Sequence, residues 1–178
     1  ECKKMVGASP GLRKSFRVTR DMIAFDETDA EIKPQASDSQ RLDGLHTHLG
    51  VFDEIHEYRN YKLINVIKNS TASRRQPLIL YITTAGFVLD GPLMDMYERG
   101  TDVLAGVVTD ERTFYYFAEI DEDDDIDDPT CWAKANPNLG VSVQLSDMIE
   151  EWEQRKNIPA ERGDFITKRL NVFVRSSE

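Results

Sequence analysis

The chain has 178 residues, 40% of them hydrophobic, and a formal net charge of −10. That length suits one domain with an appendage and can bury a core. No run approaches the roughly 18 apolar residues of a membrane helix, and the opening ECKKMVGASPG lacks the apolar segment of a secretory signal. Cys2 and Cys131 stand far apart with no CxxC pair. That argues against a disulfide framework or a zinc cage and makes the cytosol the default compartment. Residues 121–128 (DEDDDIDD) hold seven of the acidic residues, and without them 25 acidic face 22 basic residues. A duplex-binding surface would therefore come from local clusters such as GLRKSFRVTR, because the domain as a whole is not basic.

In chain order, ECKKMVGASPGL reads as the last turns of a helix stopped by Ser9-Pro10-Gly11. Nothing caps the start of that helix, so the natural polypeptide is expected to begin earlier. RDMIAF and AEIKPQAS, joined by DETD, predict a hairpin, and SDSQRLDGL a loop. Residues 49–52 (LGVF) predict a fully buried strand. In EYRNYKLINVIKNSTAS, Tyr61, Ile64 and Lys68 share a stripe with Leu63 and Ile67 beside it, which predicts an amphipathic helix. Residues 78–82 (LILYI) predict a second buried strand that ends at Thr83-Thr84-Ala85-Gly86. Strand, helix and strand over about thirty residues make a βαβ crossover.

GPLMDMYERG predicts a helix stopping at Gly100, and DVLAGVV and TFYYFAEI predict two more strands. The acidic run follows. It reads as a solvated loop extended by its own repulsion, because the glycine and glutamate of a calcium-binding loop are absent. Beyond it come a helix in DMIEEWEQRK that Ser146 can cap, a helix with Pro159 in its first turn, and a short strand, NVFV. Trp132 and Trp152 read as packing residues, and the Asn-Pro pair in WAKANPN as a hinge.

The chemistry points to the strand ends. In a parallel sheet, ligands sit at the carboxyl ends of the strands. Phosphoryl transfer to water needs Mg²⁺ near the phosphates and a water held in line. Asp53 can hold magnesium through its water shell, and Glu54, one carbon longer, can reach the water. Apolar residues before Asp53-Glu54 have the form of a Walker B element. The plainer reading is an acidic first helical turn favoured by the helix dipole. Thr83 and Thr84 end the neighbouring strand, so hydroxyls and carboxylates are expected on one rim. The plainer reading of TTAG is a turn freed by Gly86.

DGLHTHLGVFDEIHEY, LILYITTAGF, LMDMYERGTDVLAGVVTDERTFYYFAEID, DDPTCWAKANPNLGVSV and ITKRLNVFV together resemble the large subunit of tailed-bacteriophage terminases, from Met5 to Ser177. The resemblance implies an α/β fold: a partial RecA-like P-loop NTPase core with a mainly parallel sheet and flanking helices, followed by a small helical linker. Residues 1–125 would be the C-terminal part of the ATPase core and 126–178 a linker or lid. It implies an ATP-driven motor that cuts and translocates double-stranded viral DNA, with ATP and Mg²⁺ as cofactors. Asp53 would be the metal-holding Walker B residue, Glu54 the catalytic carboxylate, and Thr83, Thr84, Ala85 and Gly86 the coupling motif. The implied partners are double-stranded DNA, a small terminase subunit, the portal protein and further copies in a ring, with no membrane. The implied location is the cytoplasm of a bacterial host.

No Gly-x-x-x-x-Gly-Lys-Ser/Thr lies upstream of Asp53. The phosphate loop, like the nuclease domain of the family, is therefore expected outside this chain, and the chain alone is expected to be inactive. His56 completes DEIH, reminiscent of the DEAH box, so a superfamily 2 helicase-like ATPase is the competing enzyme. An acidic α/β interaction module is the non-enzymatic alternative. His46, His48 and His56 fall short of a zinc site, being better read as ordinary strand and helix-start histidines. Arg74, Arg75, Arg99 and Arg112 are each open as an arginine finger.

Overall fold

Ser9 closes the first helix as expected and, with Pro10, opens a second directly after it. In the computed structural model, which describes residues 1–35 and 44–174, α1 (Cys2–Ala8) ends and α2 (Pro10–Ser15) begins across them. The Ser9 hydroxyl accepts from the Leu12 N–H at 3.4 Å, and Pro10 occupies the first helical position, where a missing N–H costs nothing. Three short strands follow, β1 (Arg17–Val18), β2 (Ile23–Phe25) and β3 (Ala30–Ile32), antiparallel in that order. The expected hairpin is β2–β3, with Phe25 opposite Ala30. β1 is an additional strand, whose Arg17 bonds both oxygens of Asp26 at 2.7 and 3.1 Å. The last residues of AEIKPQAS and most of the SDSQRLDGL loop lie outside the described residues. These elements form one compact unit, 1–43, and residues 44–178 form the other.

The second unit opens with β4 (Leu49–Asp53), α3 (Lys62–Ser70) and β5 (Leu78–Ile82). β4 and β5 pair in parallel, Leu49 opposite Leu78 and Asp53 opposite Ile82. The chain is thus α/β, with a parallel sheet flanked by helices. α3 buries Ile64 and Ile67, and Ile67 closes over Gly50 on the sheet face that also buries Phe52. Phe52 stacks on Tyr81 at 5.2 Å. The strands are half-buried and not fully buried as expected. Leu49, Val51, Leu78, Leu80 and Ile82 are 42–58% exposed, because a continuous apolar run reads as covered on both faces while α3 covers one.

α4 (Pro92–Leu104) runs through Gly100, so DVL is its last turn and not a strand. A Cβ at Gly100 would lie 2.5 Å from Phe117 Cζ and 2.6 Å from Tyr115 Cδ1, so the glycine allows close approach rather than ending the helix. TFYYFAEI and NVFV belong to no strand ladder among the described residues. Their aromatics pack on α4 instead: Tyr97 lies 4.9 Å from Phe117 and 5.0 Å from Phe173, and its hydroxyl donates to Glu119 at 2.9 Å. Burial and that carboxylate push the Tyr97 hydroxyl up to about 12.

The acidic run is folded, not extended. Lys134 binds Asp121 and Asp124 at 2.5 and 2.8 Å, and these bonds hold the Asp124 carboxyl below its usual range. The Trp132 indole N–H donates to the Ile126 carbonyl at 3.0 Å, and the Trp152 indole N–H to Asp127 at 3.0 Å. Both tryptophans pack with Phe165, at 5.4 and 5.0 Å, in a cluster that also buries Met148, Ile166 and Leu170. That cluster is built on α5 (Leu145–Arg155) and α6 (Pro159–Arg169). α5 starts two residues earlier than expected: Gln144 is its N-cap and the Ser146 hydroxyl is spent on Asp147.

Two outcomes follow from this packing. Phe165→Ala should lower the unfolding free energy by about 3–5 kcal/mol in urea titrations, as expected for a fully buried aromatic. Burial raises the Glu119 carboxyl, against the lowering effect of the Tyr97 hydrogen bond. A carboxyl raised in the fold contributes stability that is full below its unfolded pKa of about 4.3 and is lost as pH rises through the folded value. Glu119→Gln should therefore raise the urea midpoint at neutral pH, and the gain should vanish once the pH falls below about 4.

Candidate functional site

β4 delivers Asp53 to its carboxyl end, and the backbone then turns at Glu54, at φ 53° and ψ 49°. This left-handed conformation costs a non-glycine residue roughly 1–2 kcal/mol, and such strain is characteristic of constrained functional positions. Asp53 Oδ1 accepts the Glu54 N–H at 3.1 Å, and the Glu54 carbonyl accepts from the Glu57 N–H at 3.0 Å. The result is a single 3-10 turn, Ile55–Glu57, anchored by buried Ile55. The acidic pair therefore sits at a strand end and not in the first turn of a helix, since α3 begins only at Lys62.

The 3-10 turn folds His56 back over the end of β5. The His56 N–H donates to Thr83 Oγ1 at 3.2 Å, and His56 Nδ1 lies 2.9 Å from the same oxygen. Thr83 Oγ1 also lies 2.8 Å from the Thr84 carbonyl; when its hydrogen goes there, Nδ1 carries the proton shared with Thr83. Nδ1 also lies 3.2 Å from Glu54 Oε2, and Nε2 lies 3.2 Å from Glu57 Oε1. Glu54 and Thr83 are thus brought together through His56. Gly86 makes room for it: a Cβ there would stand 2.7 Å from His56 Cβ. Ala85 is buried, and its N–H donates to Asn171 Oδ1 at 2.5 Å.

His56 was visible only as the fourth letter of DEIH, and its bond to Thr83 spans 27 residues. Asn171 carried one local signal: an asparagine just past a helix end, the usual place for a left-handed stop, which it adopts at φ 59°. Among the arginines, Arg74 is committed to the His46 carbonyl, at 2.7 and 3.0 Å, and Arg99 to Asp110 at 3.1 Å. Arg75 and Arg112 are exposed. His46 pairs with Ser73 at 3.2 Å.

Asp53 and Glu54 are exposed carboxylates on an open rim. Mg²⁺ uses one or two carboxylates and fills its remaining positions with water and substrate phosphate, so this donor set fits it. No group of three or more His, Cys, Asp and Glu able to hold a metal occurs among the described residues.

A parallel βαβ unit with carboxylates and hydroxyls converging at its strand ends is the layout of a RecA-like α/β core. The chain belongs to the terminase large subunit family: residues 5–101 match the model for the terminase large subunit ATPase domain, and residues 107–178 that for its endonuclease domain. Protein YmfN of Escherichia coli K12 is 37% identical over 132 residues, covering 74% of this chain and 29% of that protein. The terminase large subunit of Lactococcus phage p2 is 27% identical over 159 residues, covering 89% of this chain and 29% of its own. The crystal structure of the HK97 bacteriophage large terminase superposes with a TM-score of 0.81 at 23% identity, over 96% of this chain and 36% of that one. The chain thus spans 29% of the length of these curated relatives. No helix among the described residues is long and apolar enough to cross a membrane.

Gly86→Ala should cost about 1–3 kcal/mol by overpacking His56. In a His56→Gly background, which removes the Cβ that the new methyl would meet at 2.7 Å, the same change should cost far less, a coupling measurable in a double-mutant cycle by urea unfolding.

Proposed function

We propose that this chain carries the water-activating rim of an ATP-driven motor that translocates and cuts double-stranded viral DNA. The observation that supports it best is the continuous contact Glu54–His56–Thr83 at two adjoining strand ends. Asp53 would hold Mg²⁺ through its water shell. That ion, when bound, offsets the negative charge of the phosphates. Glu54 has Oε2 facing His56, which leaves Oε1 to orient a water and accept its proton. Thr83, Thr84 and Gly86 form the coupling loop that meets the nucleotide's terminal phosphate. Because His56 joins Glu54 to Thr83, loss of that phosphate is felt by carboxylate and loop together.

In this reading residues 1–125, which include the whole stretch matched to the ATPase domain, are the C-terminal part of the ATPase core, and 126–178, which lie inside the stretch matched to the endonuclease domain, are a linker or lid leading into it. The phosphate loop and the metal-binding nuclease residues are supplied by other parts of a full-length large subunit. Its partners are double-stranded DNA, a small terminase subunit, the portal protein and further copies in a ring, in the cytoplasm of a bacterial host. Family membership favours this over the helicase-like alternative suggested by DEIH.

In a full-length large subunit carrying this segment, Glu54→Gln should lower ATP turnover by about 10²–10⁴-fold, the usual worth of a general base, without moving the melting temperature. Turnover equal to that of the unmodified protein overturns the assignment. The 178-residue chain alone should show Mg²⁺-dependent turnover no higher than that of its own Glu54→Gln variant.

A further inference from the structure

We propose that Asn171 is a positioning residue that ties the coupling loop to the segment matched by the endonuclease-domain model, so that movement of the loop is passed along the chain. The proposal rests on the reading of residues 83–86 as a coupling loop. One short amide makes both connections. Its oxygen accepts the Ala85 N–H at 2.5 Å and its nitrogen donates to the Ala118 carbonyl at 2.9 Å. These bonds span 86 and 53 residues of sequence. The first joins the ATPase-matched stretch, which contains Ala85, to the endonuclease-matched stretch, and the second fixes Asn171 to Ala118 within the latter.

Asn171 is suited to the task by its setting. Its backbone is left-handed, at φ 59°, a conformation that asparagine tolerates better than most residues. It is held on both sides: fully buried Leu170 precedes it, and Phe173 packs on Tyr97 of α4 at 5.0 Å just beyond. The Leu170 carbonyl also accepts from the Ile120 N–H at 3.3 Å, so residues 118–120 and 170–173 move as one strip. Ala85 is 4% exposed, and water cannot readily replace the amide if the bond breaks. Breaking the Asn171 bond would therefore leave the Ala85 N–H unsatisfied. A shift of Thr83 that pulls on Ala85 must either drag the strip or lose the bond.

Two substitutions separate the connections. Asn171→Gly accepts the backbone conformation and removes both bonds. Asn171→Asp keeps the acceptor for Ala85 but loses the donor to Ala118. Hydrogen exchange is followed at the Ala85 amide in a full-length large subunit carrying this segment. It should accelerate by about tenfold or more in the Gly variant, as for an unmade buried bond, and stay unchanged in the Asp variant. Unchanged exchange in the Gly variant overturns the tie. In the same proteins, the length of DNA moved per ATP hydrolysed should fall by about tenfold in both variants, with KM for ATP unchanged. If DNA movement and hydrolysis fall in proportion, Asn171 is merely structural and the proposal fails. If Glu54→Gln hydrolyses ATP normally, the proposed function on which the coupling-loop reading rests fails instead, and the exchange result still stands or falls separately.

Discussion

The parallel ladder of β4 and β5 is the constraint on which the site depends. With Asp53 opposite Ile82, the residues that follow each strand leave the sheet at the same height, and Glu54 and Thr83 emerge side by side. The alternating pleat makes this register unforgiving. A slip of one residue would turn Phe52 out of the face that α3 covers and carry Asp53 into it. The left-handed turn at Glu54 then does what a helix start could not. It reverses the chain within three residues, so that His56 comes back over β5 and bridges the two strand ends.

Rigidity at that rim comes from elsewhere in the unit. Beyond Ile55 in the rim's own turn and Ile64 in α3, large buried side chains such as Trp132, Phe165, Met148 and Leu170 lie on α5, α6 and the turns around them. The rim itself is mostly exposed. An aromatic strip connects the two regions: Tyr97 on α4 packs between Phe117 and Phe173, and Gly100 lets that strip lie close against the helix. The arrangement places open, solvated carboxylates on a base that cannot easily deform, since close-packed interiors transmit displacement rather than absorb it.

What the sequence disclosed divides by range. The βαβ unit was legible because its two apolar runs and the amphipathic stripe of Ile64 and Ile67 are local patterns. The β2–β3 hairpin was legible for the same reason. Gly100 was misread because a glycine that ends a helix and one that admits a neighbour look alike until Phe117 is placed beside it. TFYYFAEI was misread as a strand because aromatics favour strands, whereas these aromatics serve contacts with α4. The acidic run was misread because its partner, Lys134, and the indole N–H of Trp132 act from outside the run. Within the candidate site, Asp53, Glu54 and Thr83 were suggested by order and spacing, and Gly86 by the family resemblance. The parts played by His56 and Asn171 depend on bonds across 27 and 86 residues, which no local pattern encodes.

The placement of the tryptophans has an optical consequence. The chain has only two, and both stand in one cluster, their rings 6.3 Å apart, with Trp152 bonded to Asp127 of the acidic run. Intrinsic indole emission is therefore a reporter of the α5–α6 half alone. A rim that frays around Asp53 and Thr83 while that half stays intact would leave the emission spectrum unchanged, whereas titration of the acidic run would alter it without any event at the rim.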